Sequence, residues 1–421
     1  MNKQHLIRWL ASSTIIIYLL SCAGPYDKDY PKYFTLQLQN KSDKDIKDEV
    51  ILISIDEIKI KHPDFNPLAF VVLEENKESA SQSNDQDMDG QQDQLAFICD
   101  FKPNESKICN IRYAPQGEIK RSYVKRTQAE LSHKTGGKFV ERKYEGGIFK
   151  NVTSLLVPPE HTDHSFYIRY EGPGWESDKI GYRFYLDWRN ATDIFGKKVT
   201  DMVLQNVGQD GFDSYHEMSD WGMDILKVGE SLGIGSVAMW DGQTARRVAE
   251  TDKLECHIIS DGFIQSQIRT KYTGWKIADK KYDLISNLTI NAGSRITRHE
   301  LIISGDPPNL CTGIVKHESA KLFHSQDLED GWQYLATYGK QSLADDNLGM
   351  AILFYTSSLI EITEDEYSHV VVMKPNHNKV NYYFLAAWEK EPGGIINESE
   401  FITYLQDTVE RLNTPVEIKM N

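Results

Sequence analysis

Residues 152–388 form a long succession of short apolar runs, separated by glycine, proline, asparagine and aspartate. Such punctuation between alternating runs is typical of antiparallel β-strands joined by turns. A single helical pattern closes the chain, where Phe401, Leu405 and Val409 recur at helical spacing within residues 398–411. Many strands and one clear helix predict a large antiparallel β-sandwich with one concave face.

Composition divides the chain into five segments. The predicted class is mainly β: a small N-terminal β-sandwich, then a large antiparallel β-sandwich of the supersandwich, mutarotase-like kind, with one C-terminal helix. The segments are a signal peptide at 1–21, a polar tether at 22–33, the small β-sandwich at 34–115, a basic linker with some helix at 116–150, and the large β-sandwich at 151–421.

The N-terminus has the organisation of a bacterial lipoprotein signal. Lys3 and Arg8 form its positively charged start, and the apolar run Trp9–Leu20 that follows is too short to span a bilayer comfortably. Cys22 follows Leu-Leu-Ser and precedes alanine, where its thiol would take a diacylglycerol before cleavage. We expect a lipid anchor at Cys22 that holds the protein on the cell envelope, at the outer membrane or cell surface. The alternative is a cytosolic protein with an apolar N-terminus.

The charge and the cysteine content limit which binding partners and which disulfide bonds we expect. The formal net charge is −15 and no basic block exists, so we expect no nucleic-acid partner. An acidic protein that binds an anion needs a local cationic patch. Cys99 and Cys109 lie on two strand-like runs that a hairpin could place opposite each other, and the sequence leaves their pairing open.

The segment Ile180–Asn190 separates two unlike faces if it is a strand, because successive side chains point to opposite sides. One face is apolar, and the other is charged and aromatic: Arg183, Tyr185, Asp187 and Arg189. Guanidinium groups bind carboxylate or sulfate in a fork, so this face favours an anionic, hydroxyl-rich ligand such as a sugar acid. The alternative is a salt-bridged outer face.

A second strand is predicted at His164–Glu171, linked to the first by the turn-like Gly172–Ser177. Tyr167, Arg169 and Glu171 would share one face of it. An antiparallel pair would then hold three arginines on one surface. We interpret this surface as a binding face, and a ladder of cross-strand ion pairs is the alternative.

Residues 213–224 gather polar and aromatic groups without strand or helix periodicity. Loops mounted on sandwiches often carry active sites, and histidine moves protons near neutral pH. The alternatives for His216 are a metal ligand and a structural role. The groups are Tyr215, His216, Glu217, Asp220, Trp221 and Asp224. Further polar rows predict a broad polar sheet face: Gln265, Gln267, Arg269, Asn287, Arg298 and Glu300.

The segment 85–93 matches part of a calcium loop. Asp85, Asp87, Asp89 and Asp93 occupy positions one, three, five and nine, and Gly90 occupies position six. The bidentate glutamate at position twelve is replaced by Ala96. We expect a structural calcium in the small domain and no cofactor for catalysis, and the alternative is a solvated acidic loop.

The chain resembles a family of Bacteroidetes lipoproteins, long known only as a domain of unknown function, that occurs among polysaccharide-degrading machinery. The resemblance spans most of the mature chain and implies an oligosaccharide dehydratase. Such an enzyme removes the C4 hydroxyl and the C5 proton from the non-reducing-end uronate of ulvan-type oligosaccharides. The matching segments are 85–93, Gly174–Ser177 with Tyr182-Arg183, Asp187–Asn190, Tyr215–Asp224 and Val228–Gly233.

Elimination beside a carboxylate needs that carboxylate neutralised, a base for C5 and an acid for the leaving hydroxyl. We assign Arg183 and Arg189 to the carboxylate or sulfate and His216 to proton transfer, with Tyr185 or Tyr215 as its partner. A non-catalytic glycan-binding lipoprotein and a lyase acting on uronic-acid polymers are the alternatives. The remaining expected contacts with an anionic oligosaccharide, which bears uronate with or without sulfate, are Asp187, Arg169, Tyr167, Trp175, Trp221 and Arg298.

Overall fold

The computed structural model describes residues 26–211, 214–325 and 329–421. Antiparallel sheets dominate them, which confirms the mainly β class. The predicted signal peptide and Cys22 lie outside the described residues. Neither α-helix of the described chain combines the length and the apolar character that a membrane crossing requires.

The first strands and a short helix precede residue 114. They are β1 (Lys32–Gln39), β2 (Ile46–Ser54), α1 (Ile55–Lys61), β3 (Phe70–Glu74), β4 (Lys77–Ser79), β5 (Ser81–Asn84), β6 (Gln94–Phe101) and β7 (Ser106–Tyr113). The middle of the chain contains β8 (Thr127–Glu130), β9 (Ser132–Val140), β10 (Lys143–Asn151), β11 (Ser154–Leu156), β12 (Gly174–Ser177), β13 (Ile180–Phe184), β14 (Thr192–Lys197) and β15 (Gly222–Asp224).

The remaining elements complete the large domain and return to the small one. They are β16 (Ala238–Trp240), β17 (Ala245–Arg247), β18 (Lys253–Asp261), β19 (Gln265–Ile277), β20 (Lys280–Asn291), β21 (Ile296–Ile303), β22 (Leu310–Val315), β23 (Ala320–His324), β24 (Trp332–Lys340), β25 (Asn347–Tyr355), β26 (Leu359–Glu364), β27 (Ser368–Met373), β28 (Lys379–Trp388), α2 (Glu398–Asn413) and β29 (Glu417–Met420).

The N-terminal unit is a small sandwich of two antiparallel sheets. Their strand orders are β29-β1-β7-β3-β4 and β2-β6-β5. Leu36 and Ile111 from the first sheet and Phe97 from the second are fully buried in one core. Cys99 and Cys109 belong to different sheets and face each other across this core as free thiols, with 3.7 Å between their sulfur atoms.

The segment predicted as a linker with some helix contains strands instead. β8 joins a sheet of the large domain, and β9 pairs with β10 in a two-stranded hairpin. Gly137 faces Gly146 in that hairpin, and the flanking residues alternate aromatic and charged side chains. Glycine destabilises a helix interior, whereas it is tolerated where a hairpin bends.

The large domain packs three sheets around one core. A nine-stranded sheet has the order β11-β18-β19-β20-β21-β28-β25-β24-β23, and two five-stranded sheets have the orders β17-β16-β22-β27-β26 and β15-β14-β13-β12-β8. Leu288 and Phe384 of the first, Val371 of the second and Tyr182 of the third share this core. Each strand turns alternate residues inward, so its other face is left for polar groups.

The opposite face of the nine-stranded sheet receives the predicted C-terminal helix. Phe401 and Leu405 of α2 pack against Ala351 and Leu385. Asn397 caps the helix, because its side chain accepts the Glu400 N–H. Beyond the edge of α2 this face carries the polar rows that the sequence predicted, and it meets the small sandwich there.

Candidate active site

The strand β13 lies at the centre of its sheet, but its partners are not those predicted. It pairs with β12 and β14. The predicted turn Gly172–Ser177 therefore contains a strand, and the predicted strand His164–Glu171 is irregular chain that ends in a 3-10 turn at Arg169–Glu171. β13 itself ends at Phe184.

A tight turn explains where the strand pattern stops. The Asn190 N–H donates to the Asp187 carbonyl over 3.0 Å. The Asp187 carboxylate accepts the Arg189 N–H over 2.9 Å. Aspartate favours such turns because its side chain bonds to backbone two residues on. Residues 185–190 thus leave the sheet. Alternate residues of this segment therefore no longer lie on opposite faces of a strand.

One face of this sheet carries buried ion pairs. Lys197 lies 2.6 Å from Glu176, and both side chains are fully buried. Arg169 pairs with Glu130 and is 1% exposed. Burying a charge is unfavourable unless it is paired and hydrogen-bonded. Arg169 is thus a structural cation, which corrects its assignment as a substrate contact.

These buried charges hold the segment that covers the sheet, which we call the cover segment (residues 198–211 and 214–221). Glu176 accepts the N–H groups of Val203 and Leu204 over 2.8 and 2.9 Å. Arg169 donates to the carbonyls of Leu204, Gln205 and Val207 over 3.0 to 3.3 Å. The cover segment is thereby fixed where it brings Tyr215 and His216 over the sheet.

Arg183 lies under the cover segment, where its guanidinium donates hydrogen bonds to side chains of the protein. Its guanidinium donates to Asp193 over 2.7 Å, to Asp224, and to the Tyr215 hydroxyl over 2.8 Å. The residue is 2% exposed. Arg183 therefore orients Asp224 and Tyr215, and it cannot clamp a ligand without leaving these partners. This corrects its predicted role.

Asp224 also holds His216. Their Oδ2 and Nε2 atoms lie 3.3 Å apart, and the two side chains are 1% and 41% exposed. Gly222 permits β15 to approach β14 this closely, because a Cβ there would lie 1.8 Å from the Gly196 carbonyl oxygen. A buried carboxylate thus orients an imidazole that opens to solvent, an arrangement that is compatible with general acid–base chemistry.

Arg189 joins three carboxylates at the edge of this cluster. Its Nε donates to Asp187 over 3.0 Å, its Nη2 lies 2.9 Å from Glu171, and its Nη1 lies 3.0 Å from Asp163. Its guanidinium carbon lies 3.8 Å from the centre of the Tyr185 ring. The Tyr185 hydroxyl donates to Asp193. Tyr185 therefore separates the two arginines, and its proton is already engaged.

Burial and neighbouring charge move two of these carboxyl groups in opposite directions. Burial, aided by Asp224, raises the pKa of Asp193 to about 6, although Arg183 and Tyr185 act against it. Burial also acts to raise the pKa of Glu171, but Arg189 and Arg183 outweigh it and lower that pKa to about 2. Shifts of this kind concentrate at functional sites.

The backbone beside these groups is strained. Several residues other than glycine have positive φ angles there: His164 (55°), Phe166 (58°), Tyr170 (37°), Glu171 (71°) and Asn190 (44°). Each such conformation is unfavourable by about 1–3 kcal/mol and persists only where surrounding contacts enforce it. Strain of this density next to a buried charge cluster favours a functional site over a purely structural ion-pair network.

The family model described as "Domain of unknown function (DUF4861)" matches residues 38–418. The chain belongs to the DUF4861 family. A curated relative, "Uncharacterized protein P7" of Formosa agariphila, is 24% identical over an alignment of 367 residues, and the match covers 81% of each chain.

Two solved structures from Enterococcus faecalis are also similar to this DUF4861 chain. They are an alpha-mannosidase from strain V583 and a protein in the glycosyl hydrolase family 38, at 9% and 10% identity with TM-scores of 0.45 and 0.43. Each match covers 92% of this chain and 46% or 47% of the other. The chain thus spans about half the length of those structures, and a likeness at this level carries no conclusion about activity.

Sequence reasoning missed two residues beside Arg189 in this DUF4861 protein, Trp188 and Arg247, and we call the surface that they form the mouth. Trp188 is 41% exposed, and the Arg247 guanidinium carbon lies 5.1 Å from its ring. Arg247 is half-buried and has no carboxylate within ion-pair distance among the described residues. Its pKa is lowered by burial, while Glu230 and Asp187 act in the opposite direction. An aromatic face beside an arginine that lacks a carboxylate suits an anionic sugar.

The predicted stacking residues do not reach this mouth. Trp175 is fully buried in the core, and its indole N–H donates to Thr297 over 2.9 Å. Trp221 packs against Phe195 within the cover segment's own apolar cluster. Trp188 was missed because the strand period, extended past Phe184, placed it on the apolar face.

Two further predicted contacts lie elsewhere. Tyr167 packs among the rings of His133, Phe139 and Tyr144, with centroids 5.0 to 5.2 Å apart. Arg298 pairs with Glu300 at 3.0 Å on the polar face of the nine-stranded sheet, in a different cavity. The structure thus joins Tyr185, Asp187, Arg189, Tyr215 and His216 with Arg183, and it excludes Arg169, Tyr167, Trp175 and Arg298 from direct contact with the mouth.

The acidic loop keeps part of its predicted geometry. Carboxylate oxygens of Asp85, Asp87 and Asp89 lie within 4.8 Å of one another. The Asp93 carboxylate instead accepts the Gln86 N–H over 2.6 Å and the Asp87 N–H over 3.3 Å. Three convergent carboxylates fit a hard cation such as calcium. The calcium site stays a prediction.

Proposed function

We propose that this DUF4861 protein is a carbohydrate-active lyase that eliminates water from the non-reducing-end uronate of an ulvan-type oligosaccharide. The product carries a double bond between C4 and C5. The observation that carries the proposal is the pair of His216 and Asp224, in which a half-exposed imidazole is held by a buried carboxylate. Tyr215 lies beside it, with its ring centre 4.7 Å from that of His216.

His216 is the proposed base. It takes the C5 proton, and the C–H electrons form the C4–C5 double bond as the C4–O bond breaks. Asp224 stabilises the resulting imidazolium through its bond to Nε2. A positioned general base contributes about 10²–10⁴-fold to such a step.

Tyr215 is the proposed acid. Burial raises its pKa, so the phenol is neutral near pH 7. Its oxygen accepts a hydrogen bond from Arg183, and we assign its own proton to the departing C4 hydroxyl, which leaves as water. Arg183 then stabilises the phenolate, and exchange with solvent returns the proton from His216 to Tyr215.

The substrate carboxylate is assigned to Arg247 and the sugar ring to Trp188. Arg247 replaces Arg183 in this role, because Arg183 is buried against Asp193 and Asp224 and Arg247 is not paired with a carboxylate among described residues. Neutralising the carboxylate stabilises the enolate-like negative charge that develops in the transition state as the C5 proton leaves.

A non-catalytic glycan-binding protein is the second candidate. The stacked Trp188 and Arg247 favour it, because such a pair binds an anionic sugar without any proton transfer. A polymer-cleaving lyase would use the same elimination with a sugar as the leaving group.

One assay separates these candidates. The protein is incubated with oligosaccharides that end in a saturated uronate, and the ultraviolet absorbance of unsaturated uronate is followed together with product mass. Loss of one water supports the dehydratase, chain shortening indicates a polymer lyase, and no change indicates a binding protein. His216→Ala is expected to lower the rate by about 10²-fold or more. The exposed His324→Ala is the matched control.

We also propose the lipid anchor at Cys22 from the signal-like sequence that precedes it. Cys22→Ala should release the protein from the membrane fraction of the producing bacterium. Equal membrane association of the two forms would contradict the anchor.

A further inference from the structure

A second cavity lies between the small sandwich, the polar face of the nine-stranded sheet and α2. Its volume is about 590 Å³, within the range of sites that bind small molecules. Strands β2, β19, β20 and β21 contribute to its walls, together with the end of the acidic loop at Gln86. It shares no lining residue with the cluster around Arg183.

The walls of the cavity are suited to a hydroxyl-rich ligand. Gln267 contributes an amide group to the cavity wall, whereas the amides of Gln265 and Asn287 are already bonded within the protein. Amides both donate and accept hydrogen bonds, as sugar hydroxyls do. Trp332 and Tyr383 add an aromatic corner, with ring centres 4.9 Å apart.

Arg269 is the unusual group in this wall. It is half-buried, its Nε donates to Asn287 over 2.7 Å, and its Nη2 donates to the Gln86 carbonyl over 2.8 Å. Both partners are neutral oxygens. Within 26–211, 214–325 and 329–421, no carboxylate lies within 4.0 Å of its guanidinium nitrogens.

The other arginines of the cavity differ from Arg269 in this respect. Each of them has a carboxylate partner: Arg295 with Glu391, Arg298 with Glu300 and Arg411 with Glu49. A partly buried cation without a counter-ion is unfavourable unless an anion completes it. Burial lowers the pKa of Arg269, against the more distant Glu300 and Asp87.

We propose that this cavity is a second saccharide-binding site, which takes one sugar residue bearing a carboxylate or a sulfate. Arg269 binds the anionic group in a fork, the Gln267 amide binds a hydroxyl, and the aromatic corner contacts the ring. The assignment does not depend on elimination chemistry at His216. It gives the protein a place to hold an acidic glycan apart from the residue that reacts.

The test must separate this cavity from the mouth at Trp188, since both would bind acidic sugars. Binding is therefore measured by calorimetry in the Arg247→Met variant, which lacks the proposed clamp of the active site. The probes are methyl glucuronide, glucose 6-sulfate and neutral methyl glucoside. We expect at least one anionic probe to bind this variant about tenfold or more tightly than the neutral one.

Adding Arg269→Met to that variant should weaken anionic binding by about tenfold or more. Arg269→Lys keeps the charge but loses the forked donor geometry of arginine. Its affinity for the anionic probe should therefore lie between the affinities measured before and after Arg269→Met. Arg246→Met removes an exposed arginine that pairs with Asp241 and is the control for lost charge. The anionic probe that binds more tightly shows whether the group bound by Arg269 is a carboxylate or a sulfate.

Equal affinity for the neutral glucoside, or unchanged affinity after Arg269→Met or Arg269→Lys, would overturn the proposal. So would the absence of binding in the Arg247→Met variant at millimolar sugar. None of these results bears on the dehydratase, whose test is product formation by the unsubstituted protein. Conversely, a protein without dehydratase activity can still bind sugars at Arg269.

Discussion

Arg183 and Arg269 both lie against a β-sheet in arginine-rich surroundings, but the protein uses them in opposite ways. Arg183 is enclosed by two carboxylates and a phenol under the cover segment. Arg269 is held by an amide and a backbone carbonyl at the wall of a cavity. The number of arginines in a region therefore says less about ligand binding than the presence or absence of their counter-ions.

Replacing each arginine by methionine tests this contrast most strongly. Arg183→Met leaves Asp193 and Asp224 buried without their cation, so it should lower the free energy of unfolding by about 3–5 kcal/mol. Arg269→Met removes a partly buried charge that lacks a carboxylate, so its effect should stay within about 1 kcal/mol. Denaturant unfolding of both variants measures the difference. Similar losses of unfolding free energy in the two variants would contradict the contrast between Arg183 and Arg269.

A smaller effect is expected from Asp224→Asn, which keeps the shape of the carboxylate and removes its charge. His216 would lose the group that stabilises its protonated form, so kcat should fall by about 100-fold. The exposed Asp306→Asn is the matched control, and its backbone φ of 52° suits asparagine. An unaltered kcat in Asp224→Asn would remove the catalytic assignment from the Arg183 region.

The pH dependence of stability should carry the signature of the closed cluster. Glu171 has a folded pKa of about 2, below the ordinary 4.5, so its stabilising contribution is complete above about pH 4.5 and is lost as the pH falls towards 2. Asp193 acts with the opposite sign: its raised pKa of about 6 makes stability fall as the pH rises from about 4 to 6.

Glu171→Gln should flatten the acid limb in unfolding experiments at a series of pH values, whereas Arg269→Met should leave that limb in place. A limb that survives Glu171→Gln would show that other carboxyl groups produce it.

Removal of calcium should affect the cavity and spare the cluster. The Gln86 carbonyl that holds Arg269 belongs to the acidic loop of Asp85, Asp87 and Asp89. If that loop binds calcium, a chelator should weaken sugar binding in the Arg247→Met variant several-fold and leave the rate of elimination nearly unchanged. Asp87→Asn should reproduce the effect of the chelator. Binding that is indifferent to both treatments would reject the calcium prediction.

Periodicity was enough to predict the sheets and the last helix. The strand β21 alternates buried and less buried residues along its length, and α2 follows its apolar spacing, because one face of each element packs on a core. The short helix α1 was missed, since seven residues carry too little periodicity.

The segment His164–Glu171 shows where local patterns fail. Tyr167, Arg169 and Glu171 alternate as a strand would, yet positive φ angles at Tyr170 and Glu171 turn the chain. No glycine marks these positions in the sequence. The conformation is enforced by tertiary contacts, such as the bond of Arg169 to Glu130 and of the Glu171 carboxylate to the His164 N–H.

The sequence predicted which residues belong to the candidate site better than it predicted the role of each one. His216, Tyr215 and Arg189 were recognisable from their dense polar neighbourhoods. The burial of Arg183 and the exposure of Trp188 depend on the cover segment and on the turn at Asp187, which no local pattern encodes. Arg247 gives no signal at all, because it reaches the mouth from a strand of a different sheet.

The pairing of β29 with β1 has a consequence for how the chain is built. Leu36 to Gln39 bond to Glu417 to Met420, so a strand made early waits for one synthesised some 380 residues later. Until then β1 presents an open edge during translation, and such edges recruit other chains. The maturation of the small sandwich is therefore tied to completion of the large domain, and a chain halted before residue 417 should be captured by chaperones or aggregate even with its first sheet otherwise formed.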